Sequence, residues 1–231
     1  MTDRDELADA VVVDLPLRGE WVAGTTPAAR IPSHGTDVLA QRYAYDFVRL
    51  DDRRRLYPGG ELRATFLGVP LGDVYGYGQP IHAPFAGTVV ATLDGVAEPQ
   101  RIFVPATLAR VVRNAVTFRP RHGFSRLAGN HVIIARDDGV HAAFAHLATG
   151  SVRVAPGRRV DRGTVIGLVG HTGNSTAPHL HLQLMDGPDP RTARALPCAF
   201  AAYEVERDGT WQRVERGIPG REERIRSVSS S

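Results

Sequence analysis

Short apolar runs rich in Val, Ile, Phe and Tyr recur along most of the chain, broken by Gly, Pro, Asp and Asn at short intervals. That texture predicts an all-β protein. Strands are expected over Arg42–Leu50, Gly87–Leu93, Asn130–Arg136, Val140–His146, Val165–Val169 and His179–Met185. Asp138-Gly139 lies between two of them and predicts a tight hairpin turn. Asp208-Gly209 predicts another, joining Tyr203–Arg207 to Thr210–Val214. Helical spacing occurs over Pro105–Ala115, with Leu108, Val111 and Val112 as its apolar side. No window approaches the roughly 18 apolar residues of a membrane span, and no solenoid-type repeat is present.

At 231 residues one domain of moderate size is expected. The reading divides the chain into a lead-in segment over 1–30 with a strand of its own and a β domain over 31–197. A C-terminal hairpin over 198–216 packs on that domain, and a disordered tail covers 217–231. Two insertions, 51–77 and 96–128, interrupt the domain as surface excursions. Met1–Ala10 is acidic and polar, and Val11–Val13 is too short for the roughly 7–15 apolar residues of a secretory signal. Taken alone, this start predicts a cytoplasmic protein.

The apolar fraction of 42% is that of an ordinary core, and a net charge of +3 from scattered arginines, without any recognition motif, predicts no nucleic-acid partner. All 28 cationic residues are arginine. Without lysine there is neither a Walker A phosphate loop nor a Schiff-base nucleophile. Cys198 has no partner for an intramolecular disulfide. Chemistry near neutral pH then falls to nine histidines.

The densest group is Pro178-His179-Leu180-His181. Side chains at i and i+2 of a strand share a face, so the two imidazoles can address one centre. A pair of surface histidines on a polar strand face is the plainer alternative. Upstream lie Gly78-Gln79-Pro80-Ile81-His82-Ala83-Pro84, Gly87-Thr88-Val89 and Gly129-Asn130-His131-Val132-Ile133-Ile134. Phe144-Ala145-His146-Leu147 follows, then the Val154, Gly157, Val160 spacing and Gly170-His171-Thr172-Gly173-Asn174-Ser175. In this order the pieces resemble the lysostaphin/LytM-type zinc metallopeptidases. The resemblance implies an antiparallel β-sandwich of the barrel-sandwich hybrid type (the duplicated hybrid motif). It also implies a zinc-dependent endopeptidase that cleaves cross-bridge or stem peptides of peptidoglycan, acts outside the cytoplasm and holds one Zn²⁺ per chain. His181 would be a metal ligand, and His146 and His179 the catalytic histidines that do not ligate. No H-E-x-x-H helix is present, so a glutamate base of that kind is excluded.

The other family ligands come from an H-x-x-x-D motif, for which Arg42-Tyr43-Ala44-Tyr45-Asp46 is the match. Asp46 fits as a metal ligand, but a guanidinium does not coordinate, and a catalytic zinc site ordinarily has three protein ligands. His34, in Ser33-His34-Gly35, is the nearest replacement, and Asp37 is a weaker one. Ser33-His34-Gly35 ahead of Gln41–Asp46, with Leu15-Pro16 and Gly19-Glu20-Trp21 before it, resembles a divergent branch of the family. The competing reading is a metal-free site in which Arg42 neutralises Asp46, in an inactive relative that binds peptidoglycan or regulates another hydrolase. A third is a metal hydrolase acting inside the cell. His82 and His141 are read as rim residues, His122 as solvated and His131 as a hydrogen-bonded structural residue. His171 is read as a residue that could line the cleft.

Overall fold

The computed structural model describes residues 6–59, 64–116 and 123–228; His122 lies outside them. Strand makes up 36% and helix 12%. The frame is one large sheet in the order Val11–Val13, Cys198–Arg207, Arg224–Arg226, Glu20–Thr25, Tyr45–Val48, Leu180–Met185, His141–Leu147, Asn130–Ala135, Gly87–Leu93, Arg159–Val160. Val11–Val13 runs parallel to Cys198–Phe200; the other pairings among the described residues are antiparallel, and they close no barrel. Pro80–His82 and Val165–Leu168 form a second, two-stranded sheet. Ile81 and Ile166 from that sheet join the main core.

Alternation along the central strands separates core from site. Leu180, Leu182 and Leu184 join Tyr45, Phe47, Phe144 and Phe200 in the core, each buried apolar side chain contributing roughly 1.5–3 kcal/mol. His181, Gln183 and Met185 point to the opposite face, where Met185 packs with Ala40, Ile133 and Ala143. The Asp208-Gly209 turn has both residues at positive φ, and it sets Tyr203 opposite Val214 and Arg207 opposite Thr210.

Two expectations are corrected. The strand expected from Arg42 begins at Tyr45, because Gln41–Ala44 is a turn closed by the Ala44 N–H on Gln41 O. The stretch after Gly217 is not a disordered tail through its described part. Arg224–Arg226 pairs with Glu20–Thr25 on one side and Cys198–Arg207 on the other, with Ile225 fully buried. A three-residue strand carrying one apolar side chain leaves no periodic signal.

The helix expected over Pro105–Ala115 spans Val104–Val116 and is followed by a shorter one over Gly123–Ala128. Its apolar side does not face the protein. Leu108 is 61% and Val112 53% exposed, whereas Thr107 is buried and Arg110 half-buried. The Val111 side chain lies outside the described residues. The two insertions also meet each other: Val69–Pro70 pairs with Arg101–Ile102, and Tyr57, Ala64, Val69, Leu71, Val74 and Ile102 form a small core of their own.

Candidate metal centre and cleft

Sheet register places the site. His181 lies directly opposite Asp46 on one neighbouring strand and opposite Ala145 on the other. Strict alternation would send His146, the next residue, to the core. Instead the strand carries one extra residue against Asn130–Val132, and His146 adopts a φ of 64°. A bulge with a left-handed residue re-aims a side chain and is costly outside glycine; here it turns His146 into the same cleft as His179 and His181. The ring centroids of His146 and His179 are 4.6 Å apart.

His34 reaches the centre from the loop before Tyr45–Val48. Its Nε2 lies 2.9 Å from Asp46 Oδ2, while His181 Nδ1 lies 3.0 Å and His179 Nε2 3.4 Å from Asp46 Oδ1. His34, Asp46 and His181 each offer a ligand atom, all within 4.8 Å of one another. Arg42 is not part of this group. Its guanidinium holds both oxygens of Glu6 at 3.0 Å and Asp37 at 3.1 Å, so it does not neutralise Asp46. Asp37, committed to Arg42, is no substitute ligand.

The outer nitrogen of each imidazole is already spoken for. Ser33 Oγ donates to Gln41 O at 3.2 Å, leaving a lone pair for the Nδ1–H of His34 at 3.0 Å. The amide nitrogen of Gln183 donates to Leu39 O and Met185 Sδ, which turns its Oε1 to accept from the Nε2–H of His181 at 3.0 Å. The Nδ1–H groups of His146 and His179 donate to backbone carbonyls, Thr172 O at 2.9 Å and Ala177 O at 2.7 Å. In the neutral tautomers fixed this way, His34 and His181 each turn a lone pair toward a buried carboxylate. Lone pair against lone pair at about 3 Å is repulsive unless a cation lies between them. A divalent ion bound by two imidazoles and a carboxylate suits this donor set.

The electrostatics follow from burial and crowding. Burial pushes the Asp46 carboxyl up, but the His179 charge and the N–H groups that His179, His181 and His34 offer it when protonated outweigh that and hold the group well below the usual carboxylate range, the same favour for the carboxylate that a cation between them would provide. Burial, with His179 and His181 nearby, drives His146 well below an ordinary histidine. Burial also opposes charge on His179, yet the Asp46 carboxylate and the bonds to Asp46 and Ala177 raise it overall.

The cleft above this group is about 340 Å³. Leu39, Phe124, Leu127 and Ala128 give it apolar walls, and Thr36, Gln41, Asn174 and Thr176 polar ones. Leu39 and Ala40 both have positive φ, at 58° and 56°, a strained turn that puts Leu39 O in reach of Gln183. The glycine loop 170–177 passes tightly beneath: Gly173 has a φ of 69°, and a Cβ there would collide with the Leu127 carbonyl. His171 does not line the cleft but is wholly buried behind His179. His131 donates to Gly129 O and His141 to Gly139 O, while half-buried His82 bonds to Gly163 O.

Sequence reasoning did not find Ser33, Ser175 or Gln183. Gln183 was within reach, since it continues the i, i+2 series of His179 and His181 on one strand face.

A sequence model described as peptidase family M23 matches residues 73–192, more than half of the chain. His34 and Asp46 lie upstream of the match. The DD-carboxypeptidase/endopeptidase Mpg of Neisseria meningitidis serogroup B is 39% identical over 115 residues, covering 45% of this chain and 25% of that protein. The glycyl-glycine endopeptidase ALE-1 of Staphylococcus capitis is 48% identical over 58 residues, covering 25% of this chain and 16% of that one. The chain thus matches a quarter or less of the length of these relatives. Among solved structures, the catalytic domain of the prophage-encoded M23 protein EnpA from Enterococcus faecalis aligns with a TM-score of 0.42 at 18% identity, over 77% of this chain and 88% of that one.

Proposed function

Since the chain belongs to peptidase family M23, we propose that it is a zinc-dependent endopeptidase that cleaves short peptides of peptidoglycan outside the cytoplasm. The observation that carries this reading is the convergence of His34 Nε2, Asp46 and His181 Nδ1 with the outer nitrogen of both imidazoles engaged elsewhere. These three residues would hold the ion. When bound, zinc lowers the pKa of a coordinated water to about 7 and polarises the scissile carbonyl.

The chain's own groups do the rest. His146 and His179 are anchored through Nδ1–H to carbonyls of one loop, so each presents Nε2 to the cleft. From there they can take a proton from the attacking water and return it to the leaving amine. In the protonated form the same Nε2–H can donate to the developing oxyanion. Leu39, Phe124 and Leu127 limit water at the bond being cut. Arg42, the residue that favoured an inactive relative, is occupied by Glu6 and lends that reading no support. No helix among the described residues is long and apolar enough to cross a membrane.

Protein purified without chelator is expected to carry about one zinc per chain and to release soluble fragments from peptidoglycan. Chelation should stop the release and added zinc restore it. A chain that neither retains nor takes up zinc, and releases nothing, would overturn the proposal.

A further inference from the structure

The most deeply placed polar contact of the Val104–Val116 helix does not end at the surface. Arg110 Nη2 donates to His171 Nε2 at 2.8 Å and to Ser175 O at 2.8 Å. A guanidinium only donates, so His171 must offer a lone pair at Nε2 and keep its proton on Nδ1. That Nδ1–H donates to Ser175 Oγ at 2.9 Å, and the Ser175 hydroxyl donates in turn to Ala177 O. The remaining lone pair of Ser175 Oγ faces His179 Nδ1 at 3.1 Å, beside Ala177 O at 2.7 Å. Each bond from Arg110 to the Ser175 hydroxyl therefore has one direction, set at the arginine end, and Ala177 O sets that of the bond from His179. His171 is wholly buried, and burial together with the Arg110 charge lowers its pKa to about 3, so it stays neutral. Its backbone N–H is held by Glu98 at 2.7 Å. The same insertion thus grips His171 at both main chain and side chain.

We propose that Arg110 is a positioning residue: through His171 it fixes the direction of the Ser175 hydroxyl, so that Ser175 Oγ joins Ala177 O in accepting from the Nδ1–H of His179 and holds that ring in place, making the insertion helix a working part of the site. If Arg110 is removed, His171 can carry its proton on Nε2 and accept from Ser175 at Nδ1. The Ser175 hydroxyl is then released from Ala177 O and the relay can run backwards. Ser175 Oγ then sets a lone pair against Ala177 O at 2.6 Å and must move away, so His179 keeps its Nδ1–H on Ala177 O but loses the second acceptor that holds its ring. The inversion of the helix, with Leu108 and Val112 outward and Arg110 inward, follows from this use of its polar side. The catalytic part of the proposal rests on the endopeptidase reading; the hydrogen-bond relay does not.

The test is long-range ¹H–¹⁵N correlation on ¹⁵N-histidine-labelled protein, with zinc content and steady-state kinetics. Wild type should show His171 and His179 both protonated at Nδ1. Arg110→Met should shift the His171 ring nitrogens toward a mixture of tautomers and perturb those of His179. Its kcat should fall about tenfold, the low end for an outer-shell partner, with KM and zinc content unchanged. Arg110→Lys, which still only donates, should restore the wild-type pattern. Ser175→Ala cuts the relay while leaving the helix contact, so it should perturb the His179 ring while His171, still held by Arg110 at Nε2, keeps its Nδ1–H tautomer; it serves if Arg110→Met does not fold. Unchanged ring-nitrogen signals for both histidines in Arg110→Met would overturn the proposal, as would a rise in KM with kcat intact. If wild type hydrolyses no peptide, the spectra still decide the relay, and only the endopeptidase reading fails.

Discussion

His34→Ala strips the protein of zinc and abolishes hydrolysis, whereas Arg42→Ala keeps both. Asp46 and His181 face each other across paired strands, but two protein ligands are one short of an ordinary catalytic zinc site. At 2.9 Å from Asp46, nearer than His179 Nε2 at 3.4 Å, the third donor is His34 Nε2, supported from behind by Ser33 and Gln41. Removing it should cost far more than the 10–100-fold typical of losing an outer-shell partner. Ser33→Ala, which leaves the ligand but not its support, should fall within that smaller range. Arg42 has its charge satisfied by Glu6 and Asp37 on the far side of the turn, so its loss frees the N-terminal contact without touching the centre. Metal analysis after desalting, paired with a hydrolysis assay, separates the three variants. Zinc retained in His34→Ala would move the third ligand elsewhere.

His146→Ala and His179→Ala should each retain zinc while kcat falls by roughly 10²–10⁴, the range for losing a positioned proton-transfer group. Both rings are fixed by carbonyls of the glycine loop rather than by the metal-binding group. His146 in addition adopts strained backbone to reach the cleft. A backbone cost of order 1–3 kcal/mol at one residue is expected where the side chain's direction matters. The check is kcat measured at full zinc occupancy. A parallel loss of zinc and activity in either variant would make that histidine a ligand.

How far the sequence could be read depended on the range of each interaction. His179, His181 and Gln183 share a strand face by period alone, and Asp208-Gly209 announces its own turn. His146 was legible only through resemblance, because a plain period-2 reading would have pointed it into the core. His34 was inferred from a missing ligand, with nothing local to show that Pro32–Gln41 folds back over Asp46. Arg110 was invisible. It reaches His171 from an insertion 61 residues away, on a helix whose Leu108 and Val112 are exposed instead. Ile225 likewise completes the sheet through partners some 20 and 200 residues distant. Local patterns carry period and turn chemistry; they carry neither which polar group a fold will bury nor which short strand fills a gap.

His34, Asp46 and His181 are expected to hold the zinc together. X-ray absorption at the zinc edge of the loaded protein tests it most directly. The expected spectrum has a light-atom shell at about 2.0–2.1 Å with the outer-shell scattering of two imidazoles, reduced to one imidazole in any residual metal bound by His34→Ala. A wild-type shell with one imidazole or none, or one unchanged by His34→Ala, would contradict it.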